Sequence, residues 1–206
     1  MSYTSLRVTS AGVVLFEEHA RRLAPEGGPA LAAYRRFAQT ASPGGYRLWA
    51  ENGALRVEAR EEGPPLGGQP VRFVLSPFAD RRGRFPKPAP PNAYQAVRLP
   101  GVTTVLTSPD GAELYESCVA ALVGFDGRRF VLPPLDRPAV ASAAAAALEQ
   151  AGPVERAPVL RDATAPLALV NAVRGVIELA LPGRAAFPVA AREAIAALLR
   201  ARTSRG

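Results

Sequence analysis

Two alternating runs flank an Asn-Gly dipeptide: Tyr46-Arg47-Leu48-Trp49-Ala50, then Asn52-Gly53, then Leu55-Arg56-Val57-Glu58-Ala59. Asn and Gly tolerate the positive φ that a two-residue hairpin turn demands, so this is the strongest short-range hairpin signal a sequence can carry. It commits this part of the chain to antiparallel sheet. The neighbouring segments then decide what surrounds that sheet.

Upstream, residues 5 to 16 alternate as strand around a turn at Gly12. Phe16 to Leu23 reads as a short helix with Glu17 and Glu18 in its first turn and Arg21 and Arg22 in its last, an order that suits the helix dipole. Pro29 to Gln39 carries Leu31, Tyr34 and Ala38 at helical spacing. Downstream, Glu61 to Gln69 is a Gly/Pro-rich loop and Val71 to Leu75 another strand. A Pro/Arg-rich segment from Ser76 to Pro91 separates this half from the rest.

Beyond it the sequence predicts a short helix over Asn92–Leu99 and a strand at Thr103–Thr107. An Asp110-Gly111 turn leads to strands at Glu113–Cys118 and Ala120–Phe125, and an Asp126-Gly127 turn to Phe130–Leu132. A helix is expected from Pro138 to Ala151, strands at Leu167–Asn171 and Gly175–Leu179, and a closing helix from Val189 to Ala201. The expectation is an α/β (α+β) chain of two lobes: residues 1–75, a linker 76–91, and residues 92–206.

The linker holds Lys87, the only lysine in the chain. Twenty-four other cations are arginine, so a retained lysine points to a task a guanidinium cannot do, such as presenting a neutral amine to a carbonyl. A chance survivor in an exposed loop is the plain alternative. The net charge of +7 raises nucleic acid as a partner. The arginines are spread along the chain, however, and few aromatics lie among them, which fits a solvated surface better. A single cysteine, Cys118, excludes an intrachain disulfide and a cysteine-based zinc site. No apolar run approaches membrane-spanning length and no signal-peptide pattern opens the chain, so a cytoplasmic protein without a membrane or nucleic-acid partner is expected.

Three stretches, in order, resemble the class IV, branched-chain-type family of pyridoxal-phosphate enzymes, which includes aminotransferases and aminodeoxychorismate lyase. Tyr3-Thr4-Ser5-Leu6-Arg7-Val8 followed by Leu15 to Leu23 is similar to the family's F-E-T-x-R-V … L-x-x-H-x-x-R-L. Thr103 to Gly111, Glu116-Ser117 and Gly127 to Leu135 are similar to E-A-L-x-L-D-x-x-G-x-V-x-E … G-x-L-x-T-P. Leu169-Val170-Asn171-Ala172-Val173-Arg174-Gly175-Val176 resembles the lyase-type N-A/S-L-R-G-V stretch.

The resemblance implies a two-lobed fold with the active site between the lobes, and pyridoxal 5′-phosphate as cofactor. Lys87 would be the Schiff-base lysine and proton shuttle. Glu116 would face the pyridine nitrogen and keep it protonated, and Arg22 would hold the phosphate. Asn171, Ala172 and Ser142 would supply further donors around that phosphate. His19 is expected as an ordinary polar neighbour of Arg22, and Tyr94 could sit near the lysine. The family's G-I-x-R phosphate cup is replaced by Pro138 to Ala144, where Ser142 can stand in for one donor. The implied activity is that of an aminodeoxychorismate lyase, with a class IV amino-acid aminotransferase or a non-catalytic relative as alternatives. A small amino acid or aminodeoxychorismate as substrate and a homodimer complete the expectation.

Overall fold

The computed structural model describes residues 2–60, 73–78, 84–85, 103–117, 119–140 and 142–206. Strand β1 (Ser2–Thr9) alternates as its sequence requires: Ser2, Thr4, Leu6 and Val8 are buried, while Tyr3, Ser5, Arg7 and Thr9 are half-buried on the other face. Strand β2 (Gly12–Val14) turns back through Gly12, whose φ of 124° is disfavoured for any side chain. Leu15 then takes the left-handed conformation (φ 58°) and is fully buried, anchoring the start of α1 (Phe16–Leu23). Helix α2 (Gly28–Thr40) follows, then the hairpin β3 (Gly44–Glu51) and β4 (Ala54–Arg60). Asn52 and Gly53 at its tip have φ of 49° and 80°, as a two-residue turn demands.

These strands and the C-terminal β16 (Thr203–Ser204) form one antiparallel sheet in the order β16-β2-β1-β3-β4. Helices α1 and α2 cover one face, packing Phe16, Leu23 and Tyr34 on Leu6, Val8 and Leu48. Leu6, Leu23 and Leu48 are fully buried, each contributing about 2 kcal/mol over an exposed position. Tyr34 stacks on Phe16 with centroids 5.0 Å apart and donates to the Phe16 carbonyl at 3.1 Å.

The second lobe has two sheets. Strands β5 (Phe73–Pro77), β7 (Thr103–Thr107), β8 (Glu113–Ser117) and β13 (Val159–Leu160) lie in the order β13-β8-β7-β5. Strands β9 (Ala121–Phe125), β10 (Phe130–Leu132), β12 (Val154–Arg156), β14 (Leu167–Asn171) and β15 (Gly175–Glu178) lie in the order β12-β10-β9-β14-β15. Val105 and Leu114 meet Leu122, Leu169 and Ile177 between them. On the outer side of the second sheet, Val123 and Val170 pack against α3 (Ala143–Ala151) and α4 (Val189–Ala201). Val14 and Leu15 of the first lobe join that same cluster, so the lobes share a core.

Three sequence expectations change. The helix predicted from Pro138 begins only at Ala143, because the Ala139–Val140 backbone (β11) pairs in parallel with Arg84–Phe85 (β6) and Ser142 caps the helix after them. Residues 73–75 go with the second lobe, since β5 pairs with β7. The chain end goes with the first lobe, since β16 pairs with β2. The helix expected over Asn92–Leu99 and the loop 61–69 lie outside the described residues. Among the described residues no helix is long and apolar enough to cross a membrane, and no group of three His, Cys, Asp or Glu could hold a metal.

Candidate functional site

Strand β1 pairs with β2 only through Val8 and Thr9. Its first half therefore has no strand of the described residues at that edge. Two side chains of α1 point to a site near it. His19 is buried, and its Nδ1 lies 2.6 Å from Thr4 Oγ1, which ties α1 to β1. Arg22, one turn on, is half-buried. Burial pulls its guanidinium below the usual arginine range, and the charges of Tyr3 and Glu116 push it back up. A cation that loses water in this way is sustained by the acids facing it.

Glu116 comes from the other lobe. It sits on β8 opposite Leu106, just past a β-bulge between Leu106 and Thr107, and is only 5% exposed. The bulge re-aims this end of β8. Glu116, 94 positions from Arg22 in sequence, thus lies within electrostatic reach of it, as does Tyr3, and the three mark one candidate corner. Sequence reasoning gave Tyr3 no role. Its signal was its place on the half-polar face of β1, with Ser5 and Arg7.

Two turns close this corner. After β8, Ser117 Oγ accepts from the amides of Val119 and Ala120 and donates to the Ala120 carbonyl, which fixes the β8–β9 turn. Asn171 Nδ2 donates to the Val119 carbonyl at 3.1 Å, while Asn171 Oδ1 accepts from the amides of Val173 (3.0 Å) and Arg174 (2.6 Å). The Asn171 amide is therefore spent on shaping the β14–β15 turn. Ala172 behind it is buried. The turn reaches β1, where Arg7 Nη1 lies 3.5 Å from the Val173 carbonyl.

Ser142 already has a partner within its own helix. As the cap of α3, its Oγ accepts from the Ala145 amide at 3.3 Å. Helix α3 meets α1 at its far end, where Arg21 donates to Gln150 at 3.2 Å. Eight residues of helix put Ser142 about 12 Å from that contact. Lys87, Tyr94 and Cys118 lie outside the described residues.

On the open face of the first sheet, Tyr3 pairs in register with Trp49, and Ser5 with Arg47. The Arg47 guanidinium carbon lies 5.5 Å from the Tyr3 ring centroid and 5.6 Å from that of Trp49. Arg56 lies 5.5 Å from Trp49 on its other neighbour strand. A separate cleft of about 350 Å³ opens beside Ser108, Asp110, Glu113, Tyr115, Asp136 and Arg137. There Arg137 already pairs with Glu113 and Asp136, each at 2.8 Å, so its charge is met within the protein. The corner of Arg22, Glu116 and Tyr3 is the better candidate, because it holds a desolvated cation and a buried acid from different lobes.

No protein-family model and no curated protein sequence matches this chain. Solved structures do. A hypothetical aminotransferase from Mycobacterium tuberculosis in its pyridoxal-phosphate-bound form is similar at 17% identity and a TM-score of 0.67, over 98% of this chain and 88% of that one. A 4-amino-4-deoxychorismate lyase from Pseudomonas aeruginosa is similar at 18% identity and a TM-score of 0.66, over 97% and 90%. A fold IV transaminase from Curtobacterium pusillum is similar at 19% identity and a TM-score of 0.60, over 98% and 84%. The chain has the two-lobed α/β architecture of fold-type IV pyridoxal-phosphate enzymes.

Proposed function

We propose that this chain binds pyridoxal 5′-phosphate at the corner of Arg22, Glu116 and Tyr3, and acts there as an aminodeoxychorismate lyase, converting 4-amino-4-deoxychorismate to 4-aminobenzoate and pyruvate. The observation that carries the reading is the buried acid of one lobe in electrostatic reach of the desolvated guanidinium of the other. A ligand with a protonated ring nitrogen and a phosphate needs that pair: an acceptor without water and a forked donor. The donor set fits. Glu116 would accept from the ring nitrogen and hold its proton, and Arg22 would bind the phosphate. When bound, the cofactor supplies an electron sink for the substrate carbon that carries the amine.

Lys87 would hold the aldehyde carbon and move the proton at the substrate α-carbon. Supporting this, Arg84–Phe85, just before Lys87 in sequence, pairs with Ala139–Val140, just before the Ser142 cap of α3. The lysine-bearing segment thus begins beside a helix N-terminus, where anions are favoured. The Asn171-to-Gly175 turn, whose sequence is the lyase-like one, meets β1 at Arg7 and favours the lyase over the aminotransferase. A homodimer is part of the proposal, to be read by sedimentation.

A second reading, a non-catalytic relative, draws on one observation. Ser142 Oγ is occupied by the Ala145 amide, and no glycine or arginine of a phosphate cup accompanies it.

The test is retention of added pyridoxal phosphate, followed by absorbance after gel filtration. The wild type retains it, and Arg22→Gln weakens retention about 10- to 100-fold, the worth of one charge-assisted contact. Glu116→Gln shifts the absorbance band of whatever is retained. A wild type that retains none, or both variants behaving as wild type, rejects the reading. Release of 4-aminobenzoate against formation of a keto acid then separates lyase from aminotransferase.

A further inference from the structure

The geometry points to Arg47 as the group that receives a carboxylate of the substrate. Arg47 is half-buried, and its guanidinium lies against two rings, 5.5 Å from the Tyr3 centroid and 5.6 Å from the Trp49 centroid. The rings themselves are 6.1 Å apart and tilted by 32°. Its Nε is buried with no hydrogen-bond partner, so contact with the rings offsets the water that this nitrogen gives up. Glu58, the acid opposite it in register, is exposed and makes no ion pair with it. Arg7 and Arg56 share the same face and add to the positive field.

A guanidinium held against rings keeps a fixed plane and offers its edge, and a planar carboxylate matches that edge with paired hydrogen bonds. The position suits a substrate group, because Tyr3 joins the two sites: its ring packs on Arg47, its hydroxyl meets Ser5 Oγ at 3.0 Å, and it lies within electrostatic reach of Arg22. Arg47 is thus one residue removed from the proposed cofactor corner. Only the identity of the anion rests on the proposed function; the anion site itself does not.

Trp49 is the sole tryptophan of the chain, so its fluorescence reports this slot. The purified full chain, without added cofactor, is titrated with succinate and, separately, with uncharged succinamide. Succinate is expected to give a saturable change and succinamide none. Arg47→Gln is expected to weaken succinate at least tenfold, and Arg47→Lys at least fivefold, because lysine keeps the charge and loses the fork. Arg35→Gln, which removes the same charge from exposed α2 on the opposite side of the sheet, stays within twofold.

Should Arg47→Gln fail to fold, the lysine variant carries the test. No saturable change in the wild type, or wild-type affinity in either Arg47 variant, overturns the assignment. In the cofactor-loaded enzyme Arg47→Gln raises KM for the carboxylate substrate at least tenfold with kcat within threefold, and an unchanged KM contradicts the role. Failure of cofactor retention with intact succinate binding would count against the proposed function and leave the anion site standing.

Discussion

Glu18 and Arg202 allow a worked test of how the chain end locks the two lobes. The Glu18 side chain on α1 is 1% exposed, while Arg202, just before β16, is 26% exposed. Arg202 Nη1 donates to Glu18 Oε1 and, at 3.0 Å, to Gln150 on α3. The only other cation paired with Glu18 among the described residues is Arg21, at 3.5 Å and 54% exposed. Arg202→Ala would leave a buried carboxylate with one distant, hydrated partner. Breaking a buried pair this way costs about 3–5 kcal/mol, and the partial exposure of Arg202 argues for the lower end. Glu18→Gln removes the charge that needs compensating and costs about 1–2 kcal/mol. The double variant should then lose only about 2 kcal/mol, well short of the sum of the two single losses, a coupling of roughly 2–3 kcal/mol. Urea unfolding of all four proteins with a common m-value reads it directly. Additivity within about 0.5 kcal/mol would refute the reasoning, because the buried charge would then have had no dependence on Arg202.

Two further outcomes follow from the first lobe. Gly12→Ala places a Cβ 2.4 Å from the Ser204 backbone at a φ of 124°, so β16 must leave β2. A loss of about 2–4 kcal/mol is expected, with fast hydrogen exchange at Thr203 and Ser204; unchanged exchange contradicts it. Burial, with the charges of Glu17 and Glu18, holds the Tyr34 phenol far above the ordinary tyrosine range. The folded state therefore keeps a proton that the unfolded state releases above about pH 10, and stability falls there by about 1.4 kcal/mol per pH unit. Tyr34→Phe should flatten that slope in urea melts between pH 10 and 12, and an equal slope in the variant would sink the assignment.

What the sequence revealed was local. Asn52-Gly53 announced the β3–β4 hairpin because few residues tolerate its dihedrals, and α1 and α4 were legible from their end charges and apolar spacing. The start of α3 was misread, since an alanine-rich run favours helix everywhere and only tertiary pairing of Ala139–Val140 with Arg84–Phe85 holds its first residues extended. The return of Thr203–Ser204 to β2 left no local trace, as a two-residue strand has no period to detect. Arg22 and Glu116 were singled out as candidates only through the resemblance. Their proximity depends on the meeting of two lobes, which no spacing encodes. Tyr3 and Arg47 escaped notice because their partnership rests on the β1–β3 register, which the strand sequences alone did not pair.

The central claim rests on the chain's single lysine. Incubation with pyridoxal phosphate, fixation with borohydride and peptide mass mapping put it to the most direct test. The account predicts stoichiometric adduct on Lys87, lost equally in Lys87→Ala and Lys87→Arg because a guanidinium cannot replace the amine. An adduct confined to the N-terminal amine, or none at saturating cofactor, would contradict it.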